Sequence, residues 1–261
     1  MKIALIIPYK NAEKWIKRCL DSIKGDFEVI LIDDHSEDRS SEIVDNHPNH
    51  YNFIHTCTML SHGVSAARNI GLYHAIKDVG ADYIAFLDAD DELHPDAYKN
   101  MCKAISEAPD DGIIQFNHLM VIGDTIPVPR MHNRQGTYFL NNLPKLWVSV
   151  VNKVYKAELV KDLQFIVDFD HGEDELFNLN CLKKTRRIYN SEQVTMIHHK
   201  DNPNSLSKST TIDDLIQEQI YLNSLLRGGR HDVELREAIR QRQAELWSNP
   251  CYKRVFGGKE E

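Results

Sequence analysis

The sequence predicts an α/β fold: a mostly parallel, Rossmann-like sheet flanked by helices, with a small helical appendage at the C-terminal end. Three observations predict it. Continuous apolar runs of strand length, such as Ile3–Pro8 and Phe27–Ile32, suit strands covered on both faces. Amphipathic stretches with helical spacing stand between them, which is the pattern of βαβ units. Two of the runs end in acidic clusters, Asp33-Asp34 and Asp88-Ala89-Asp90-Asp91, and open parallel sheets bind ligands beyond the carboxyl ends of their strands.

The elements follow in order. Pro8 and Lys10 close the first strand. Ala12, Trp15, Ile16, Cys19, Leu20 and Ile23 then fall on one face of a helix, with Asn11 as its expected cap. Phe27–Ile32 is the second strand. A short helix over Ser41–Asp45 and a strand near Asn52–Thr56 come next. Val64, Ala67, Gly71, Leu72, Ala75, Ile76 and Val79 mark a long amphipathic helix. Tyr83–Leu87 is a further strand, and Pro95 opens a helix with Ala97, Met101, Cys102 and Ile105 inward. Beyond about residue 112 the pattern changes. Strands are expected in Gly112–Gly123 and Ile126–Phe139, around a polar turn, and again in Gln193–His199. Leu146–Tyr155 is an apolar run with a lysine inside, and Glu173–Leu182 reads as a helix. Two helices joined by Gly228-Gly229 are expected from Asp213 onward.

Bulk composition narrows the function classes. The chain has 261 residues, 42% hydrophobic and 27% charged, in the ordinary range for a globular protein. No apolar run approaches the length of a membrane span, and the N-terminal run is too short for a signal peptide. Five widely spaced cysteines fit free thiols in a reducing compartment, so the expected location is cytoplasmic. The net charge of −8 weighs against a nucleic-acid partner. Five aspartates on one rim repel one another and call for a cation or hydrogen-bond donors. A hard divalent ion, Mg²⁺ or Mn²⁺, fits an all-oxygen donor set. The plainer reading is that aspartates at strand ends cap the following turns. Neither G-x-G-x-x-G after the first strand nor G-x-x-x-x-G-K-[ST] occurs, so dinucleotide-type and P-loop phosphate sites are not expected.

An ordered set of segments then carries a resemblance. Ile6-Ile7-Pro8-Tyr9-Lys10-Asn11-Ala12-Glu13, Ile32-Asp33-Asp34-His35-Ser36-Glu37-Asp38, Gly63-Val64-Ser65-Ala66-Ala67-Arg68-Asn69, Phe86-Leu87-Asp88-Ala89-Asp90-Asp91, Asn152-Lys153-Val154-Tyr155, Gly172-Glu173-Asp174-Glu175-Leu176-Phe177 and Asn204-Ser205-Leu206-Ser207 come in this sequence. Over roughly residues 1–210 the chain resembles family 2 glycosyltransferases, inverting enzymes of the GT-A fold. The resemblance implies a glycosyltransferase domain over 1–210, with a nucleotide-sugar half at 1–110, an acceptor half at 111–210 and a helical segment at 211–261. It implies that Pro8, Tyr9, Asn11, Asp33, Asp34, Arg68, Asp88 and Lys200 contact the nucleotide-sugar donor. Asp90 and Asp88 would hold Mn²⁺ or Mg²⁺. Either His198 or His199 could join them, His199 being the one assigned.

Asp174 is implied as the general base, with Glu173 as the alternative carboxylate. An inverting transfer needs one carboxylate to take the acceptor hydroxyl's proton, and a metal or cation to stabilise the leaving diphosphate. Without the resemblance, Glu173-Asp174-Glu175 reads as an acidic first helical turn favoured by the dipole, and Arg68 as a pairing partner for strand-end carboxylates. Trp147 and Lys153 fall where relatives face the acceptor. Lys200 stands where the family commonly has Arg, so it offers charge without a bidentate fork. The implied donor is a nucleotide diphosphate sugar, UDP-linked by preference, and the implied acceptor a glycan hydroxyl. Three other readings are a sugar nucleotidyltransferase, a non-catalytic nucleotide-sugar-binding or partner protein, and a glycosyltransferase acting on a modified nucleobase in DNA. The first is disfavoured by a glycine-free first loop, the last by charge.

Overall fold

Residues 3 to 9 set the pattern for the whole molecule. β1 (Ile3–Tyr9) is buried along its full length because both of its faces are covered. Leu5 and Ile7 face one apolar layer, and Ala4 and Ile6 face the other, as the two-residue period of a strand dictates. The structure is a computed structural model. It describes residues 1–48, 54–57, 63–123, 125–130, 134–139, 149–167 and 172–202, together with Leu222, Glu237, Ile239 and Arg240.

The first half of the chain winds helices around β1. α1 (Ile16–Ser22) follows it, then β2 (Phe27–Asp33), α2 (Ser40–Asp45), β3 (Ile54–Cys57), α3 (Val64–His74) and β4 (Tyr83–Phe86). β2 and β4 both pair parallel to β1, and β3 pairs parallel to β2. α3 runs on as a π turn over Ala75–Val79, stopped by Gly80 in the left-handed region. Asn11 does not cap the first helix. It adopts φ 48° and its Oδ1 accepts the Glu37 N–H (2.8 Å), while α1 starts only at Ile16. Its side chain is thus used to hold the next loop.

After β4 come β5 (Glu92–Leu93), α4 (Ala97–Glu107), β6 (Ile113–Val121), β7 (Val128–Arg130), β8 (Gly136–Phe139), β9 (Lys153–Lys156), α5 (Ala157–Val160), α6 (Glu173–Thr185) and β10 (Arg187–His199). The sheet order is β3-β2-β1-β4-β9-β6-β10-β5, with β7 on β6 and β8 on β10. The parallel part is β3-β2-β1-β4. Beyond it β9 pairs antiparallel with both β4 and β6, while β6 and β10 run parallel. Pro95 lies just ahead of α4, which begins at Ala97, a difference within the usual spread of helix ends.

One apolar layer packs α1 and α4 on the sheet through Ile16, Leu20, Met101 and Ile105. The other packs α3, α5 and α6 through Ala67, Leu72, Val160, Phe177 and Leu182. Gly71 lets α3 approach β1 closely, since a Cβ there would run into the Ile6 side chain. Among the described residues, no helix is long and apolar enough to cross a membrane. Trp147, the Asn204–Ser207 segment and the two C-terminal helices lie outside the described residues, apart from four helical positions of which Leu222 and Ile239 are buried.

Candidate active site

The acidic loops at the carboxyl ends of β2 and β4 open onto one rim because β1 pairs parallel with both strands. The two loops differ in how their charge is satisfied. Asp33 accepts from the Ser36 N–H (2.8 Å) and the Ser41 hydroxyl (2.6 Å). Asp34 is buried, accepts the Gly63 N–H (2.9 Å) and lies 3.5 Å from Lys10 Nζ. Gly63 has φ 96°, a conformation that suits glycine, and it delivers that N–H at the start of α3. Tyr9 is buried, its hydroxyl 3.3 Å from Ser41 Oγ. Tyr9, Asn11, Asp33 and Asp34 therefore form one braced corner, with Pro8 in register with Ile32 beside it.

The β4 loop gathers negative charge. Oxygens of Asp88, Asp90 and Asp91 all lie within 4.8 Å of one another. Burial raises the Asp88 carboxyl to about 7 against the pull of Arg68, with Asp90 and Asp91 adding to the rise. Asp91 is committed elsewhere: it is buried and accepts from His198 Nδ1 (3.0 Å) and the His199 N–H (2.8 Å). Asp90 accepts from Asn202 Nδ2 (2.8 Å), and its carbonyl accepts from Arg18 Nη2 (2.6 Å). Asp88 and Asp90 are the members that fit a hard divalent cation, which their all-oxygen donor set suits and which would relieve their mutual repulsion.

The His199 backbone N–H reaches this cluster at Asp91, but its ring does not. Its Nε2 meets Glu92 at 2.6 Å, so the histidine ring beside the acidic loop is that of His198, the other of the two that the sequence left open. Burial, which lowers the pKa of His198, is outweighed by its bond to Asp91, and the net shift is upward. Lys200 is exposed; its N–H donates to the Val121 carbonyl (3.0 Å) and extends the β6–β10 pairing by one residue.

Arg68 joins the acidic loop to the first turn of α6. It is 3% exposed. Nη2 donates to Asp88 Oδ1 (3.1 Å), and Nη1 donates to Glu173 Oε1 (2.9 Å) and Asp174 Oδ1 (2.7 Å). Burial works against its charge but is outweighed by Asp174, Asp88 and Glu173, so it stays a cation above its ordinary range. Asp174 accepts two more bonds on Oδ2, from Ser149 Oγ and the Val150 N–H, each 3.1 Å. Among the described residues, three of the roughly four acceptor sites of this carboxylate are thus used and one is open. Burial, then the neighbouring Asp174, raises Glu173 to about 7 despite its pairing with Arg68. Lys153, expected near the acceptor, is instead 1% exposed, with its ammonium turned into the protein behind Asp174.

The sequence reading missed Arg18, Asn202 and Ser149. Each reaches the site from an element that carries no motif of its own, and only the helix spacing of Arg18 one residue before Cys19 hinted that it leaves the core face.

Comparison with known proteins decides the family. The Glycosyl transferase family 2 model matches residues 4–163, more than half of the chain. The chain belongs to this family. As a family 2 glycosyltransferase it is 27% identical over 197 residues to the poly(ribitol-phosphate) beta-N-acetylglucosaminyltransferase TarS of Staphylococcus aureus, covering 72% of this chain and 34% of that one. It is 30% identical over 199 residues to the poly(ribitol-phosphate) beta-glucosyltransferase of Bacillus spizizenii, covering 72% and 30%. The chain spans about a third of the length of these two relatives. The crystal structure of S. aureus TarS 1–349 in complex with UDP-GlcNAc matches with a TM-score of 0.80 at 23% identity, over 100% of this chain and 76% of that one. The mannosyltransferase PcManGT from Pyrobaculum calidifontis, solved with GDP-Man and Mn²⁺, matches with a TM-score of 0.64 at 16% identity, over 94% and 69%. The two structural likenesses establish the GT-A-like fold, and the family match establishes membership of glycosyl transferase family 2.

Proposed function

We propose that this glycosyltransferase moves a sugar from a UDP-linked donor, with inversion, to a hydroxyl of a glycan-type polymer, and that the transfer depends on Mn²⁺ or Mg²⁺. The observation that carries the reading is Arg68, which ties the Asp88 end of the acidic loop to Asp174. It keeps a cation-seeking carboxylate pair and a basic carboxylate side by side.

Asp90 and Asp88 would hold the metal, which would supply positive charge to the leaving diphosphate. The open acceptor site of Asp174 takes the acceptor's hydroxyl proton as that oxygen attacks the anomeric carbon. The bond from that carbon to the diphosphate breaks, and the electron pair leaves with the nucleotide. No glycosyl-enzyme intermediate is needed. Pro8, Tyr9, Asn11, Asp33 and Asp34 line the nucleoside corner, and Lys200, free to extend from the end of β10, meets phosphate. The preference for UDP is supported by UDP-GlcNAc in the TarS complex, and the metal by Mn²⁺ in the PcManGT complex. The polymer acceptor is supported by the relatives named for poly(ribitol-phosphate).

The test is a thermal-shift panel of UDP, GDP, CDP and dTDP and their sugars, with and without Mn²⁺. A ligand that binds only the folded state raises the melting temperature. A Mn²⁺-dependent rise with UDP compounds, lost in Asp90→Ala, is expected. A well-folded protein that responds to none of them would overturn the reading.

A further inference from the structure

Behind Asp174 the chain makes a short turn, Ser149 to Asn152, before entering β9. This turn supplies both bonds to Asp174 Oδ2, from Ser149 Oγ and the Val150 N–H. Lys153 closes it from inside the protein. Its Nζ donates to the Ser149 carbonyl (2.5 Å) and to Asn152 Oδ1 (3.1 Å). Asn152 in turn donates to the Phe116 carbonyl (2.9 Å) on β6, and the Phe116 N–H donates to the Asn152 carbonyl (2.9 Å). The turn is therefore clamped to the central sheet at one end and to Asp174 at the other.

A lysine is a costly residue to place there. A buried ammonium is tolerated only with partners, and an alkyl side chain would fill the same space without that cost. Burial lowers its pKa to about 7 while Asp174, the largest opposing influence, draws it up, followed by Cys181 and Glu175 of the same helix. From the other side Arg68 of α3 faces Asp174. The residue with most to gain from the ammonium is thus the carboxylate that the turn holds.

We infer that Lys153 is a positioning residue for Asp174: by gripping the Ser149 carbonyl it fixes the Ser149 hydroxyl and the Val150 N–H on Oδ2, and so aims the remaining acceptor site of Asp174 at the acceptor hydroxyl. The inference rests on the proposed role of Asp174 as the base. Lys153 touches no substrate, so its loss acts on turnover and leaves donor binding alone.

The experiment compares Lys153→Met, Lys153→Gln, Ser149→Ala and their double variants in steady-state transfer, with Asp174→Asn alongside. Lys153→Met is expected to lower kcat by roughly ten- to hundredfold, the cost of a misplaced reacting group, with donor KM and Mn²⁺-dependent UDP binding within about twofold. Lys153→Gln retains an N–H donor for the Ser149 carbonyl and recovers part of kcat. Ser149→Ala combined with Lys153→Met falls short of the product of the single losses, because both act through one turn. A role in stability alone predicts losses that follow the melting temperature and no recovery in Gln. A wild-type kcat in a folded Lys153→Met overturns the inference. Should Lys153→Met not fold, a wild-type kcat in Ser149→Ala overturns it equally. If Asp174→Asn keeps its rate, the base assignment itself falls, which separates the two failures.

Discussion

Arg68 carries more of the site's electrostatics than any motif aspartate, because three carboxylates share its guanidinium. Arg68→Met should destabilise the fold by about 3–5 kcal/mol, as breaking a buried ion cluster does, and urea denaturation measures it. Arg68→Lys keeps a charge but cannot reach two loops with one planar fork, so it should rescue stability better than turnover. Glu173 gives a pH signature. Its folded pKa of about 7 is above its unfolded value near 4.5, so between these the native state holds the extra proton. Its contribution to stability is complete below about 4.5 and is lost as pH rises through about 7. Unfolding free energies of wild type minus Glu173→Gln should fall across that window; a flat difference would remove Glu173 from the list of shifted groups. Asp88, Asp90, Glu173 and Asp174 were singled out by the family resemblance; alone, acids at a strand end or in a first helical turn read as turn caps and dipole partners. Which of the His198 and His199 rings faces Asp91 was not legible. Alternate residues of a strand face opposite sides, and the side is decided by two register shifts between β6 and β10, at Asn190/Val194 and Val194/Met196. Lys153 was misjudged because its main partner is a backbone carbonyl, which no residue type announces.

At the scale of elements, β1, β2, β4 and α6 could be read directly, since each is long or apolar enough to satisfy only one period. β5 is two residues long and exists because β10 passes beside it; nothing local specifies it. α1 began late because Asn11 found a partner in the next loop. The contact between α3 and β1 depends on Gly71. Gly71→Val should cost about 1–3 kcal/mol by overpacking, and Ile6→Ala in the same protein should recover part of that loss, a compensation that denaturation of the single and double variants would reveal. Additive losses would mean that α3 shifts bodily instead.

The described strands form one sheet with an apolar layer on each face. β1, β2 and β4 contribute to both layers, as β6, β9 and β10 also do, so the slowest-exchanging amides should lie in these six strands and share one opening free energy. Hydrogen exchange resolved by residue would show it, and separate free energies for the two layers would refute it. That the sheet is parallel over β3-β2-β1-β4 followed from strands alternating with helices. Its antiparallel continuation did not, because β9 is only four residues long. The position of β9 also bears on how the protein is made. It lies between β4 and β6 in the sheet although it is translated after both. Until Lys156 has left the ribosome, the Tyr83–Phe86 backbone has an open edge, the kind of exposed strand on which chains associate. A nascent chain interrupted before this point has its Asp33-Asp34 corner translated but its sheet unjoined. Synthesis of these four residues therefore closes the edge between β4 and β6, while the other edge of β6 stays open until β10 follows.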